Sequence, residues 1–146
     1  MFRGNHTARV DEKGRLKLPV EFKRPLTENY GSLFYITSKD GKVAEVYPLK
    51  EWEKIEEKLA AIPSFHPAKK KLMGRVNYYG QTVEIDTQGR LLLPQILRES
   101  ANLMTDVVVF GMQNYLTVAN HEDFKRNIDE NPMTAEDEKE LAGFGL

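Results

Sequence analysis

Short runs of alternating apolar and polar residues dominate the chain, and two of them are near-copies. Residues 7–10 put Ala8 and Val10 on one face and Thr7 and Arg9 on the other, the pattern of a half-buried strand. Residues 11–14 read as a turn. An aspartate at its start can accept from a backbone N–H two residues on, and Gly14 tolerates the positive φ such turns use. Alternation resumes at Arg15, with Leu16 and Leu18 inward and Arg15 and Lys17 on the solvent face. Pro19 stops this strand and opens a short helix over 20–24, which Pro25 is expected to end. Strands over 33–37 and 43–47 are joined through Ser38-Lys39-Asp40-Gly41, a hairpin signal. Leu49, Trp52, Ile55 and Leu59 share one side of a helix predicted over 48–62.

The second half repeats this plan. Asp11-Glu12-Lys13-Gly14-Arg15-Leu16-Lys17-Leu18-Pro19 returns as Asp86-Thr87-Gln88-Gly89-Arg90-Leu91-Leu92-Leu93-Pro94, with Asp, Gly, Arg, both leucines and Pro in register. Val83 and Ile85 point inward from a strand over 82–85, as Leu91 and Leu93 do after the turn, while Arg90 points out. Pro94 opens a helix carrying Ile96, Leu97 and Leu103. Strands follow over 107–110 and 116–119, then a helix capped by Asn120 and Asp123 that runs through Phe124 and Ile128. Phe124 takes the place of Trp52, and both are expected in the core. Thr134 caps a last acidic helix through Leu141, and 143–146 is a loose tail. Between the halves, Pro63 and Pro67 are expected to break a basic linker that contains Lys69, Lys70 and Lys71. Either half alone is too small to bury much surface, so both are expected to share one core. Each half's hairpin would then complete the other's sheet.

Composition narrows the chemistry. With 21 basic and 22 acidic residues among 146 the net charge is −1, so anion binding requires local segregation of charge. Absence of cysteine removes disulfides, thiolate metal sites and cysteine nucleophiles. His6, His66 and His121 are scattered without ligand spacing, and His121-Glu122 is only half of a metalloprotease signature. Neither a nucleophile elbow nor a phosphate-cradling loop occurs, so neither an enzyme nor a cofactor is expected. The apolar run 107–112 is too short to span a bilayer, and the first seven residues lack the apolar stretch of a secretion signal, so the expected location is the cytoplasm.

The repeated turn carries the candidate chemistry. A turn needs its glycine but has no need of arginine after it, and an arginine fork fits phosphate oxygens or guanine O6 and N7 bidentately. Arg15 and Arg90 are therefore the candidate anion contacts. Gly14 and Gly89 shape the bends, and Lys13, Lys17 and Arg9 add charge to the first copy. The second copy has Gln88 in place of Lys13 and Leu92 in place of Lys17, with Lys69–Lys71 and Arg75 as possible supplements. A structural alternative stays open: Asp-x-x-Gly is a common turn, and Arg15 could simply pair with Asp11.

Met1-Phe2-Arg3-Gly4, the paired Asp-x-x-Gly-Arg-Leu-x-Leu-Pro segments and Leu97-Arg98-Glu99 together resemble the MraZ family over nearly the whole chain. That resemblance implies an α+β, mainly β fold: two tandem swapped-hairpin half-domains of the AbrB/SpoVT type, forming a pseudo-twofold β-barrel with helices outside. The repeats would occupy 1–63 and 76–130, with a basic connection at 64–75 and an acidic helix and tail at 131–146. It implies a cytoplasmic, nucleoid-associated transcriptional regulator of a cell-division and cell-wall gene cluster. Such a protein forms ring-shaped homo-oligomers that grip short, G-rich direct repeats in double-stranded promoter DNA. Lys13, Gly14 and Arg15 match the family's first loop, and Gly89 and Arg90 its second. An antitoxin-like or protein-binding module on the same fold is the alternative. One departure is Tyr115-Leu116-Thr117-Val118-Ala119-Asn120, where the family usually carries an acidic residue and a tryptophan after the last strand.

Overall fold

The computed structural model describes all residues, 1–146. In order, the elements are β1 (Asn5–Arg9), β2 (Arg15–Lys17), α1 (Val20–Tyr30), β3 (Leu33–Thr37), β4 (Ala44–Pro48), α2 (Leu49–Ala60) and α3 (Pro67–Tyr78). They continue with β5 (Gln81–Glu84), β6 (Arg90–Leu92), α4 (Gln95–Ser100), β7 (Asp106–Gly111), β8 (Leu116–Asn120), α5 (His121–Glu130) and α6 (Ala135–Ala142). The architecture is mixed α+β. Six strands form one antiparallel sheet in the order β1-β7-β8-β4-β3-β5, and β2 and β6 form a separate two-stranded ribbon. The strands thus make two sheets and not the closed barrel that was expected, although an isolated Val10–Leu16 bridge links β1 to β2.

Pairing crosses between the halves. β1 lies against β7, with Ala8 opposite Val107, and β5 lies against β3, with Val83 opposite Phe34. In the middle of the sheet β4 joins β8. Alternation follows from this arrangement. Phe34, Ile36, Val46, Val107, Val109, Leu116 and Val118 point to one face, where they meet Leu16, Leu18, Leu91 and Leu93 in one core drawn from both halves. The opposite face of β3 and β4 carries a smaller cluster in which Trp52 stacks on Tyr35 at 4.6 Å and lies 5.1 Å from Tyr47.

Three helical expectations need correction. Pro25 does not end α1, which continues to Tyr30. Phe22 and Leu26, one turn apart and fully in the core, hold both sides of the proline, and this burial outweighs the hydrogen bond Pro25 cannot make. Pro67 does not break a linker. It is the first residue of α3, where its missing N–H is harmless, and the His66 side chain caps the helix by accepting from Ala68 N at 3.1 Å. With these two helices, α-structure outweighs strand, so the fold is not mainly β. Finally, α4 stops at Ser100, and Leu103 reaches the core from the turn beyond it.

Trp52 is buried as expected, but Phe124 is only half-buried, 4.7 Å from Phe110, and α5 buries no side chain. α3, between the two halves, packs Val76 against Trp52 of α2, and the Val76 carbonyl accepts from the β3 hydroxyls of Tyr35 (2.9 Å) and Thr37 (2.6 Å). No such helix covers α5.

Candidate nucleic-acid interface

The two Asp-x-x-Gly-Arg turns have the same geometry. In the first, Asp11 Oδ1 accepts from the backbone N–H of Lys13 (3.0 Å) and Arg15 (2.9 Å), while Oδ2 accepts from Arg15 Nε at 2.8 Å. In the second, Asp86 Oδ1 accepts from Gln88 N and Arg90 N, both at 2.9 Å, and Oδ2 from Arg90 Nε at 2.8 Å. Each bend is closed by the glycine N–H donating to the aspartate carbonyl, at 2.9 and 3.0 Å. Gly14 has φ +84° and Gly89 φ +77°, a region where a side chain is strained. These bonds hold both carboxyls below the usual carboxylate range. At Asp11 the Arg15 backbone N–H leads, followed by its guanidinium, and at Asp86 the corresponding groups of Arg90 act alike.

Reciprocal bonds then join the turns. Leu18 N donates to the Gly89 carbonyl and Leu93 N to the Gly14 carbonyl, both at 3.0 Å. Between them β2 and β6 pair with Arg15 opposite Leu92, Leu16 opposite Leu91, and Lys17 opposite Arg90. Leu16 and Leu91 enter the core, so the remaining residues share the outward face. Arg15 and Arg90 are therefore diagonal neighbours, with ladder positions about 7–8 Å apart. The sequence placed the arginines on two exposed loops; the fold brings them onto one ribbon.

The arginines are less free than expected. Their side chains are 29% and 24% exposed, and Nε of each is held by an aspartate. The Nη groups make no hydrogen bond within the chain, and no unbonded side-chain nitrogen in a non-exposed residue is buried, so these groups reach solvent. The aspartate fixes one edge of each guanidinium and leaves its far end available. Gly14 and Gly89 are themselves buried and act as shape-setters. Lys13, Lys17 and Gln88 are exposed. Arg9 is exposed too, but it faces its cross-strand partner Asp106 at 3.3 Å. Lys69–Lys71 and Arg75 belong to α3 and are not part of the ribbon ladder.

Two cations escaped the sequence reading. The Arg98 guanidinium lies directly over Gly14, held by Nε donating to the Leu93 carbonyl at 3.1 Å, and the Lys23 side chain lies over Gly89. Each comes from the helix following one turn and covers the glycine of the other. Their spacing was available: both stand four residues after the proline that closes their repeat.

No group of three or more His, Cys, Asp or Glu side chains converges as a metal would require, and no helix is long and apolar enough to cross a membrane.

A family model described as "MraZ protein, putative antitoxin-like" matches residues 1–74 and 80–143. Among similar curated proteins, a transcriptional regulator MraZ of Acidobacterium capsulatum is 73% identical over 146 residues, covering all of both chains. Proteins of the same name from Koribacter versatilis and Thiobacillus denitrificans are 50% and 32% identical, again over the full length of both chains. The paired turns, the interleaved halves and these full-length matches agree, and the chain belongs to the MraZ family of transcriptional regulators.

Proposed function

We propose that the chain regulates transcription by binding double-stranded DNA through the β2–β6 ribbon. The carrying observation is the convergence of Arg15, Lys17 and Arg90 on one outward face, with both guanidinium groups oriented by carboxylates and open at their Nη ends. A two-stranded ribbon is narrow enough for a major groove about 12 Å wide, and an oriented arginine fork suits guanine. Arg15 and Arg90 read bases. Lys13, Lys17, Lys23 and Arg98 hold phosphates on either side. Arg9 and Gln88 stand at the margin.

Crossed pairing of β1 with β7 and of β5 with β3 supports two swapped-hairpin repeats of the AbrB/SpoVT type, over 1–63 and 76–130. One ribbon offers few phosphate contacts, so a single copy binds weakly. Homo-oligomerisation into a ring multiplies the contacts and suits short, G-rich direct repeats in the promoter of a division and cell-wall gene cluster, in a nucleoid-associated protein of the cytoplasm. A second reading, a protein-binding role akin to an antitoxin's, draws on α6, an acidic helix that buries no side chain.

Fluorescence anisotropy with duplex DNA from upstream of the chain's own gene, at two salt concentrations, tests the proposal. The expected result is tighter binding than to a scrambled duplex, weakening by close to one logarithmic unit per phosphate neutralised for each tenfold rise in salt. Equal affinity for both duplexes, or none at low salt, overturns it.

A further inference from the structure

Four side chains make up the outward face of the β2–β6 ribbon: Arg15, Lys17, Arg90 and Leu92. Three are cationic, and the fourth is a leucine that is 53% exposed. Single exposed leucines are ordinary on a protein surface, but this one stands on a face otherwise built to meet anions. Leu92 takes the place that Lys17 holds in the first repeat, as Glu84 takes that of Arg9 and Gln88 that of Lys13. The second repeat therefore keeps its turn arginine and has lost all three cations that flank the first. Backbone symmetry between the turns survives, while symmetry of charge does not. The tethered arginine also leaves the leucine uncovered. Arg15 turns its backbone N–H and its carbonyl toward Asp11 (2.9 and 3.0 Å), and its Nε is bonded to the same residue, so its side chain leans to the side of β2 away from β6. Leu92 lies directly opposite it on β6, with Cβ atoms about 4.5–5.5 Å apart.

We propose that Leu92 is a specificity-determining residue, packing on the 5-methyl group of a thymine in the major groove beside the guanine that Arg15 reads. The proposal rests on the DNA reading above and names a second base for the same ribbon. An apolar side chain gains nothing from a phosphate, and among the base edges in the major groove only thymine presents a methyl group. The distance across the ladder lies between one and two base-pair steps of about 3.4 Å, so the two contacts fall on neighbouring base pairs. Lys13 and Arg98 line one cleft with Leu92 and supply the phosphate contacts there, and Glu84 in the same cleft offers none. At the other end of the ribbon Lys17 stands opposite Arg90, and no apolar side chain accompanies them. One end thus reads a guanine beside a thymine, and the other a guanine beside gripped backbone. Two turns of matching geometry then recognise an asymmetric sequence, and the chain sits on the duplex in one orientation.

Thymine and uracil differ only by this methyl group. The upstream duplex is therefore prepared once with thymidine and once with deoxyuridine throughout, and the affinity of the full chain for each is measured by fluorescence anisotropy at one salt concentration. Wild type is expected to bind the deoxyuridine duplex about three- to fourfold more weakly, the worth of one buried methyl group. Leu92→Ala should bind the thymidine duplex as weakly as wild type binds the deoxyuridine one, and should be indifferent to the exchange. Leu92→Lys, which copies Lys17, should be indifferent too, while binding a scrambled duplex more tightly with a salt slope steeper by close to one. Wild type that ignores the exchange overturns the proposal, and that comparison needs no variant to fold. A Leu92→Ala chain that loses as much on the exchange as wild type does overturns it as well, since the methyl is then read elsewhere. A lower solution mass for Leu92→Ala would place the leucine in a protein contact, with the same consequence. The DNA reading survives each of these results as long as wild type prefers the upstream duplex to the scrambled one; equal affinity for those two overturns both.

Discussion

Replacing Gly14 and Gly89 by alanine separates backbone strain from what each glycine carries above it. Both sit at positive φ, so a Cβ costs about 1–2 kcal/mol at either site. At Gly14 the new methyl meets the Arg98 guanidinium, which must leave and give up its bond to the Leu93 carbonyl. That loss adds about 1 kcal/mol. At Gly89 the methyl meets the Lys23 side chain at 2.9–3.0 Å, and Lys23 is bound by nothing there and swings aside freely. Gly14→Ala should therefore destabilise by about 2–3 kcal/mol and Gly89→Ala by about 1–2. The gap of about 1 kcal/mol corresponds to roughly 2–4 °C in Tm for a chain of this size. Urea unfolding with an unchanged m-value measures the difference. Equal losses, or a larger one at Gly89, would refute the assignment of Arg98 as an anchored cover and Lys23 as a loose one.

Three further outcomes are expected. Asp11 and Asp86 have depressed folded-state pKa values, so the stability they lend is complete above the unfolded value of 3.8 and fades as pH falls through the folded values. Carboxyl-carbon NMR titration should find both midpoints below 3.8, and a midpoint at or above it contradicts the turn geometry. Trp52→Ala should destabilise by about 3–5 kcal/mol, and Phe124→Ala by clearly less at concentrations where the protein is monomeric; similar losses in thermal melts would mean that α5 packs as tightly as α2. Burial, with Glu45 beside it, pushes the Tyr47 phenol well above its usual range. Tyr47→Phe removes the hydroxyl that donates to buried Glu45 at 2.9 Å, for a loss of about 1–3 kcal/mol by denaturant titration, and a neutral result would show Glu45 satisfied by other groups.

Much of the fold was legible because alternation survives in short strands. Leu16, Leu18, Leu91 and Leu93 were placed inward and lie in the core. The duplicated Asp-x-x-Gly-Arg also gave away the halves. What escaped was set by distant contacts. Local rules make Pro25 a stop, but the shared core holds Phe22 and Leu26 on either side of it. Pro67 looked like a breaker because a proline that begins a helix and one that ends it look alike unless the capping His66 is recognised. At the site, the sequence supplied the arginines and, as the structural alternative, the Arg15–Asp11 pair, but not that the same pair recurs between Arg90 and Asp86 through Nε alone. Nor did it join both turns in one ribbon, since pairing across 75 residues is invisible to periodicity. Lys23 and Arg98 were overlooked because each acts over the other repeat's glycine.

The central claim is that the two turn arginines discriminate sequence while the lysines hold backbone. Affinities of Arg15→Ala, Arg90→Ala and Lys17→Ala variants should be measured on the upstream duplex and on a random duplex at one fixed salt concentration. Each arginine change should weaken specific binding by about 1–3 kcal/mol and random binding far less, while Lys17→Ala weakens both alike. Equal losses on the two duplexes for the arginine variants, or none at all, would contradict the account.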